Sequence, residues 1–213
     1  MKQNISFDKT VVELSRVIVG VTFAFSGFVK AVDPLGFTYK IQDYLITLNL
    51  TELFSLALPA ALFMVVAEFA LGAFLLLGIY RKATTRFIGL FMAFFTPLTL
   101  WIALANPVED CGCFGDALII SNWQTFYKNV IVLAGTILLI FKWKKISPLF
   151  SPKTVTLTAV FVVLYGVLFS LHNTYRLPIM DFRPYKIGAN IPAQMFVDPD
   201  KADIVESSFM FSK

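Results

Sequence analysis

Apolar positions in this chain do not alternate with polar ones at short period. They run in five long blocks, roughly 11–31, 53–80, 87–105, 123–141 and 155–171. Each block is long enough to cross a hydrocarbon core that takes about 20 helical residues. In lipid the backbone polar groups must be satisfied within the segment, so blocks of this kind predict helices. The expected fold class is an all-α integral membrane protein, with a four-helix transmembrane bundle core plus a fifth transmembrane helix. The first block is expected to be a retained span and not a cleaved leader: Glu13 and Arg16 interrupt its start, and Lys30, Asp33 and Pro34 follow it instead of a small-residue cleavage site.

Between the first two blocks, Phe37, Ile41, Tyr44, Leu45 and Leu48 recur at helical spacing with Lys40, Gln42 and Asp43 between them. That pattern predicts an amphipathic helix lying on the outer surface of the bilayer and roofing the bundle. Residues 1–175 are thus read as the transmembrane unit. Beyond them Pro178, Pro184, Pro192 and Pro199 punctuate a polar stretch. Residues 176–213 are expected to form an extended external tail. Ser207 to Ser212 leans toward a strand, which marks either the start of a longer protein's soluble domain or a segment that pairs with a partner's edge.

Composition agrees with the pattern, since 57% of the 213 residues are hydrophobic and 15% charged, against about 45–50% and about 25% in soluble domains. The net charge of +4 points to topology and not to a nucleic-acid partner. With five spans, Lys2, Lys9, Arg16, Arg81, Lys82, Arg86, Lys142, Lys144, Lys145 and Lys153 fall at one end, and the two loops at the other hold only Lys30, Lys40 and Lys128. The positive-inside rule then sets the N-terminus inside. In a bacterial cytoplasmic (inner) membrane, the loop after the third block and the C-terminus face the periplasm. Trp101, Trp123 and Trp143 fall at block ends, as interfacial aromatic belts require.

Two features inside the blocks bear on function. Glu68 lies well within the second block, where an ionisable group needs a partner or a wet cavity. Arg16, which can also pair with Glu13 three residues away, is its expected partner in a structural intramembrane ion pair; a proton-relay or quinone-facing role is the other reading. The third block is dense in Phe87, Phe91, Phe94 and Phe95 and contains Pro97, a helix-kinking position. Such an aromatic stripe is more often packing than a cofactor site. Ser121 or Asn122 is positioned to cap the fourth helix.

Both cysteines lie in one polar loop, Glu109-Asp110-Cys111-Gly112-Cys113-Phe114-Gly115-Asp116. Cysteines one residue apart bridge only through a tight ring, and Gly112 is the residue best able to take the angles required. Three uses stay open. A strained, exposed bridge is labile and suits redox exchange through Cys111 and Cys113 as catalytic residues. The other readings are a permanent staple of the loop, or thiolates that bind a metal together with His172. Asp110 and Asp116 disfavour thiolates, whereas Lys30 and Lys128, expected at the same end, offset them.

The stretches Phe25-Ser26-Gly27-Phe28-Val29-Lys30, Asp33-Pro34-Leu35-Gly36-Phe37 and Glu68-Phe69-Ala70-Leu71-Gly72, with the Cys-Gly-Cys-Phe-Gly loop, resemble the DoxX-like membrane family. Within it they resemble the methylamine-utilisation MauE branch, over about 11–141. Asp181-Phe182-Arg183-Pro184-Tyr185-Lys186-Ile187-Gly188 is similar to a Bacteroidetes-type subgroup in which an external thioredoxin-like domain can follow. The resemblance implies a four-helix core and a role in quinone-linked sulfur oxidation or in forming disulfides of an exported partner. The leading expectation is a membrane-embedded thiol–disulfide component acting on an exported or tethered partner, thioredoxin-like or another envelope protein, with quinone as a candidate cofactor. The rival is a non-catalytic subunit that anchors or assembles a larger cell-envelope complex.

Overall fold

The computed structural model describes residues 7–108, 111–176, 178–180 and 182, and among them there is no strand. Six α-helices follow one another: α1 Phe7–Val32, α2 Pro34–Thr47, α3 Phe54–Leu77, α4 Arg81–Ala105, α5 Asn122–Lys142 and α6 Val155–Tyr175. All but α2 are long and apolar enough to cross a membrane. The protein is an all-α integral membrane protein. The chain divides into Met1–Asp181 and Phe182–Lys213; the expected strand near Ser207 and the other tail features from 183 onward lie outside the described residues.

Local chemistry sets the helix ends. Asp33 caps α2, its carboxylate accepting the Gly36 amide at 3.0 Å, with Pro34 in the first turn. Helix α3 stops at Gly78, which takes a left-handed φ of 70°, and the Ile79 amide reaches back to the Phe74 carbonyl at 2.8 Å, so the orphan carbonyls of the last turn are satisfied. Ser121 caps α5 in a reciprocal box with Gln124.

The helices pack as two antiparallel pairs, α1 with α3 and α4 with α5, joined along α1 and α5, while α6 rests on α3 and more lightly on α1. Val12, Val19, Phe23, Leu75, Ile88, Met92, Val132 and Leu139 form the buried core between the first four of these. Lipid is as apolar as these side chains, so tight association depends on close approach. Gly27 and Gly72 provide it: a Cβ at Gly27 would overlap the backbone of Phe69, and one at Gly72 the backbone of Ala24.

These contacts also fix the register. Val32, the last residue of α1, comes level with the middle of α3, and the first turns of α3 run past it against α2. Helix directions alternate, so the loop with the cysteines shares one end with Lys30, α2 and Lys128, and the other end gathers Arg16, Arg81, Lys82, Arg86 and Lys142 to Lys145. At that basic end Arg16 pairs with Glu13 at 2.9 Å and donates to the carbonyls of Ser147 at 2.8 Å and Leu76 at 3.0 Å. Asp8 bridges Lys142 at 3.0 Å and Lys145 at 2.7 Å.

Candidate functional site

Helix α4 ends at Asn106, whose left-handed φ of 46° turns the chain sharply back. Asn122 at the start of α5 holds this turn by donating to the Asn106 side chain at 2.8 Å and the Val108 carbonyl at 3.0 Å. The two anchors leave a short loop to carry Cys111 and Cys113, which are joined in a disulfide with Cα atoms 5.5 Å apart. Gly112 between them has φ of 66°, in the left-handed region, which a side chain would oppose.

The loop backbone is gripped from two helices. Ser26 on α1 donates to the Cys113 carbonyl at 2.6 Å, and Tyr44 on α2 donates to the Cys111 carbonyl at 3.2 Å. Phe114 is buried, its ring 5.6 Å from that of Phe25 and 4.3 Å from the Lys128 ammonium, close enough for a cation–π attraction.

The disulfide lies on the wall of a cavity of about 280 Å³ inside the bundle. Its lining is mainly apolar and aromatic, with Phe23, Phe91, Phe94, Phe95 and Trp101 among the rings. Phe37, Ile41 and Tyr44 of α2, with Leu48 just beyond its end, close one side; helical spacing marks these positions as one face. Polar groups are few: Thr22, Ser26, Lys30, Glu68, Thr99, Lys128 and Asn129, besides the Tyr44 hydroxyl. Asn129 donates to Thr99 at 3.1 Å, and Lys30 and Glu68 form a buried ion pair at 2.7 Å with side chains 8% and 10% exposed. Their opposite charges cancel. Among the described lining residues this leaves Lys128 as the excess positive charge.

A family model described as methylamine utilisation protein MauE matches residues 8–142. The chain belongs to the MauE family. No curated protein and no solved structure matches it. The MauE match runs from α1 to the last residue of α5, so it contains both cysteines, Lys30, Glu68 and Lys128 and leaves α6 outside.

Within this MauE protein the expected Arg16–Glu68 pair is not formed, and Glu68 meets Lys30 instead. About 21 Å of helix axis separates Arg16 from Lys30, and the glycine-set register puts Glu68 level with the last turns of α1. Lys30, anticipated only as a modulator of the thiols, is therefore the structural partner. It also sits 4.9 Å from the Phe37 ring centre. Lys128 faces the same cavity as the sulfurs. Asp110 lies outside the described residues, as does the side chain of Asp116. His172 is exposed on α6 and does not line the cavity. Among the described residues no group of three or more His, Cys, Asp or Glu side chains converges, so the alternative of Cys111, Cys113 and His172 as metal ligands has no geometry behind it.

Ser26, Thr99, Tyr44 and Asn129 were not anticipated as site residues. Their signal in the sequence is faint: Ser26 and Thr99 are small polar residues within apolar blocks, and Asn129 is an amide within an apolar run, where such a group needs a partner.

Proposed function

We propose that this MauE protein is a membrane-embedded thiol–disulfide component that oxidises the dithiol of an exported or tethered partner through Cys111 and Cys113. The observation that carries the reading is the position of the disulfide on the wall of an aromatic, largely apolar cavity that also holds a neutralised ion pair and an excess lysine. A permanent staple has no need of an adjoining cavity with charged groups in it.

The exchange balances as follows. A partner thiolate attacks one sulfur, and Cys113, less buried than Cys111, is the accessible one. The Cys111–Cys113 bond breaks and its electron pair passes to Cys111, which takes a proton. A second partner thiolate then attacks the partner sulfur of the mixed disulfide and displaces Cys113 as a thiolate; Cys113 takes the second of the two protons given up by the partner thiols, so the partner leaves oxidised and both cysteines are thiols. A cation at the cavity favours the departing thiolate, and Lys128, which shares the cavity lining with both cysteines, is our candidate for that role. Ser26 and Tyr44 hold the loop backbone while the sulfur–sulfur bond changes.

The cavity suits a quinone as the onward acceptor: ring faces for a flat headgroup, and Lys128 as a donor toward a carbonyl oxygen. When bound, a quinone would accept the two electrons and two protons of the dithiol. We place the cysteine end in the periplasm of a bacterial inner membrane, supported by the lysine and arginine clustering at the opposite end. The partner is then an envelope protein, with a thioredoxin-like domain as the candidate class.

The test uses the protein in liposomes with a water-soluble quinone and a reduced dithiol protein, scored by thiol alkylation and mass. Cys111 and Cys113 should cycle between alkylated and protected states as dithiol and quinone are added in turn. Equal dithiol oxidation by the Cys111→Ser, Cys113→Ser variant would overturn the reading. If that variant also co-purified with an envelope complex as fully as the wild type, the chain would be an anchoring subunit.

A further inference from the structure

At the end of the bundle opposite the cysteines, two concave surfaces run into one another. One is a cleft of about 750 Å³ formed by the first turns of α4, the stretch after α5 and the start of α6. Its charged lining residues are Arg81, Lys82 and Arg86, with no carboxylate among them. The other is a groove of about 460 Å³ between α3 and α6. Its floor and sides are Phe74, Ala159, Val160, Val163, Leu164 and Val167. Tyr80 and Thr156 belong to both surfaces, and their hydroxyls hydrogen-bond at 3.1 Å across the seam.

The charges here differ from their neighbours. Lys142 and Lys145 share Asp8, whereas among the described residues no carboxylate forms an ion pair with Arg81, Lys82 or Arg86. The Arg81 guanidinium is directed by a bond to the Ile146 carbonyl, and the Lys82 ammonium stands 6.0 Å from the Trp143 ring centre. Lys82 and Arg86 are exposed. The groove runs from Thr156 to Val167 along α6, about 16 Å of helix, which is close to one leaflet of a hydrocarbon core about 30 Å thick.

We infer that this composite surface is a binding site for one anionic glycerophospholipid, its phosphate in the cleft against Lys82 and Arg86 and one acyl chain along the α3–α6 groove. The cationic cleft supplies charge complementarity, and basic pockets between helices at this kind of position favour acidic headgroups. The groove supplies the requirement for a chain, which inorganic phosphate does not meet. The inference uses no residue of the cavity that holds the disulfide, so it stands or falls separately from the redox reading.

Native mass spectrometry of the full chain released from detergent micelles, titrated with phosphatidylglycerol or phosphatidylcholine of matched chains, tests it. Phosphatidylglycerol should bind more tightly by on the order of tenfold. Lys82→Gln with Arg86→Gln should weaken it by on the order of thirtyfold, and Val160→Trp, which fills the groove from an exposed position, by several-fold. Lys142→Gln with Lys145→Gln removes the same charge nearby and should leave affinity unchanged, with thermal unfolding confirming that every variant is folded. Equal loss in this control would reduce the effect to diffuse surface charge and overturn the proposal. So would displacement of the lipid by inorganic phosphate together with indifference to Val160→Trp, which would mark a free-anion site.

Discussion

The two ends of the bundle each hold a lysine–carboxylate pair at 2.7 Å, Lys30 with Glu68 and Lys145 with Asp8. Their lengths are the same and their surroundings are opposite. At the cysteine end both side chains are at most 10% exposed; at the basic end they are 43% and 49% exposed. A buried pair has lost its hydration and depends on its partner, while an exposed one trades one set of water contacts for another and is worth little. The cysteine end thus encloses charge around a cavity, and the basic end displays charge at a surface. The first arrangement fits chemistry on a small enclosed molecule, the second attachment to a charged boundary.

Substitutions at matched positions sharpen this contrast, and the largest effect belongs to the cysteines. Cys111→Ser or Cys113→Ser should bring dithiol oxidation to the uncatalysed background, read from the thiol content of the partner over time, while the fold persists. Next, Glu68→Ala leaves the Lys30 ammonium buried without its carboxylate. It should destabilise the protein by about 3–5 kcal/mol in denaturant unfolding in detergent, and Lys30→Met combined with Glu68→Leu should recover most of that loss. An unchanged midpoint for Glu68→Ala would show that the pair is hydrated and would remove the basis of the comparison.

A smaller effect is expected at the helix interface that sets the register. Gly72→Val pushes against the Ala24 backbone and should cost about 1–3 kcal/mol, with a weaker Lys30–Glu68 coupling in a double-mutant cycle. The smallest change belongs to the basic end, where Asp8→Asn should leave the unfolding midpoint unmoved within error although two contacts are lost. A clear drop there would mean that the exposed bridge holds α1 to α5.

Much of this architecture is legible in the chain because lipid imposes a coarse rule on it. Long apolar blocks give the spans, and the recurrence of Phe37, Ile41, Tyr44 and Leu48 gives the face of α2 that closes the cavity. The cysteine loop stands out as the polar interruption that carries both thiols. Arg16 is the wrong partner for Glu68 because no local pattern sets how far one helix slides along another. The helices are staggered, and the stagger is decided by close contacts at Gly27 and Gly72. Which backbone each of those glycines touches is a property of the assembled pair and not of either stretch alone. The hold of Ser26 and Tyr44 on the cysteine loop is not legible for a similar reason: their hydrogen bonds span long sequence separations to carbonyls of that loop, and no local pattern announces them.

Lys30 is the last charged residue of α1, one turn from the Asp33–Pro34 joint that begins α2, and it faces both the Glu68 carboxylate on α3 and the Phe37 ring on α2. Any swing of α2 away from the bundle would strip the aromatic face from this ammonium and leave it the carboxylate alone. The joint between α1 and α2 is in this way wired to the interior, so a change in the position of α2 would alter the electric field within the cavity.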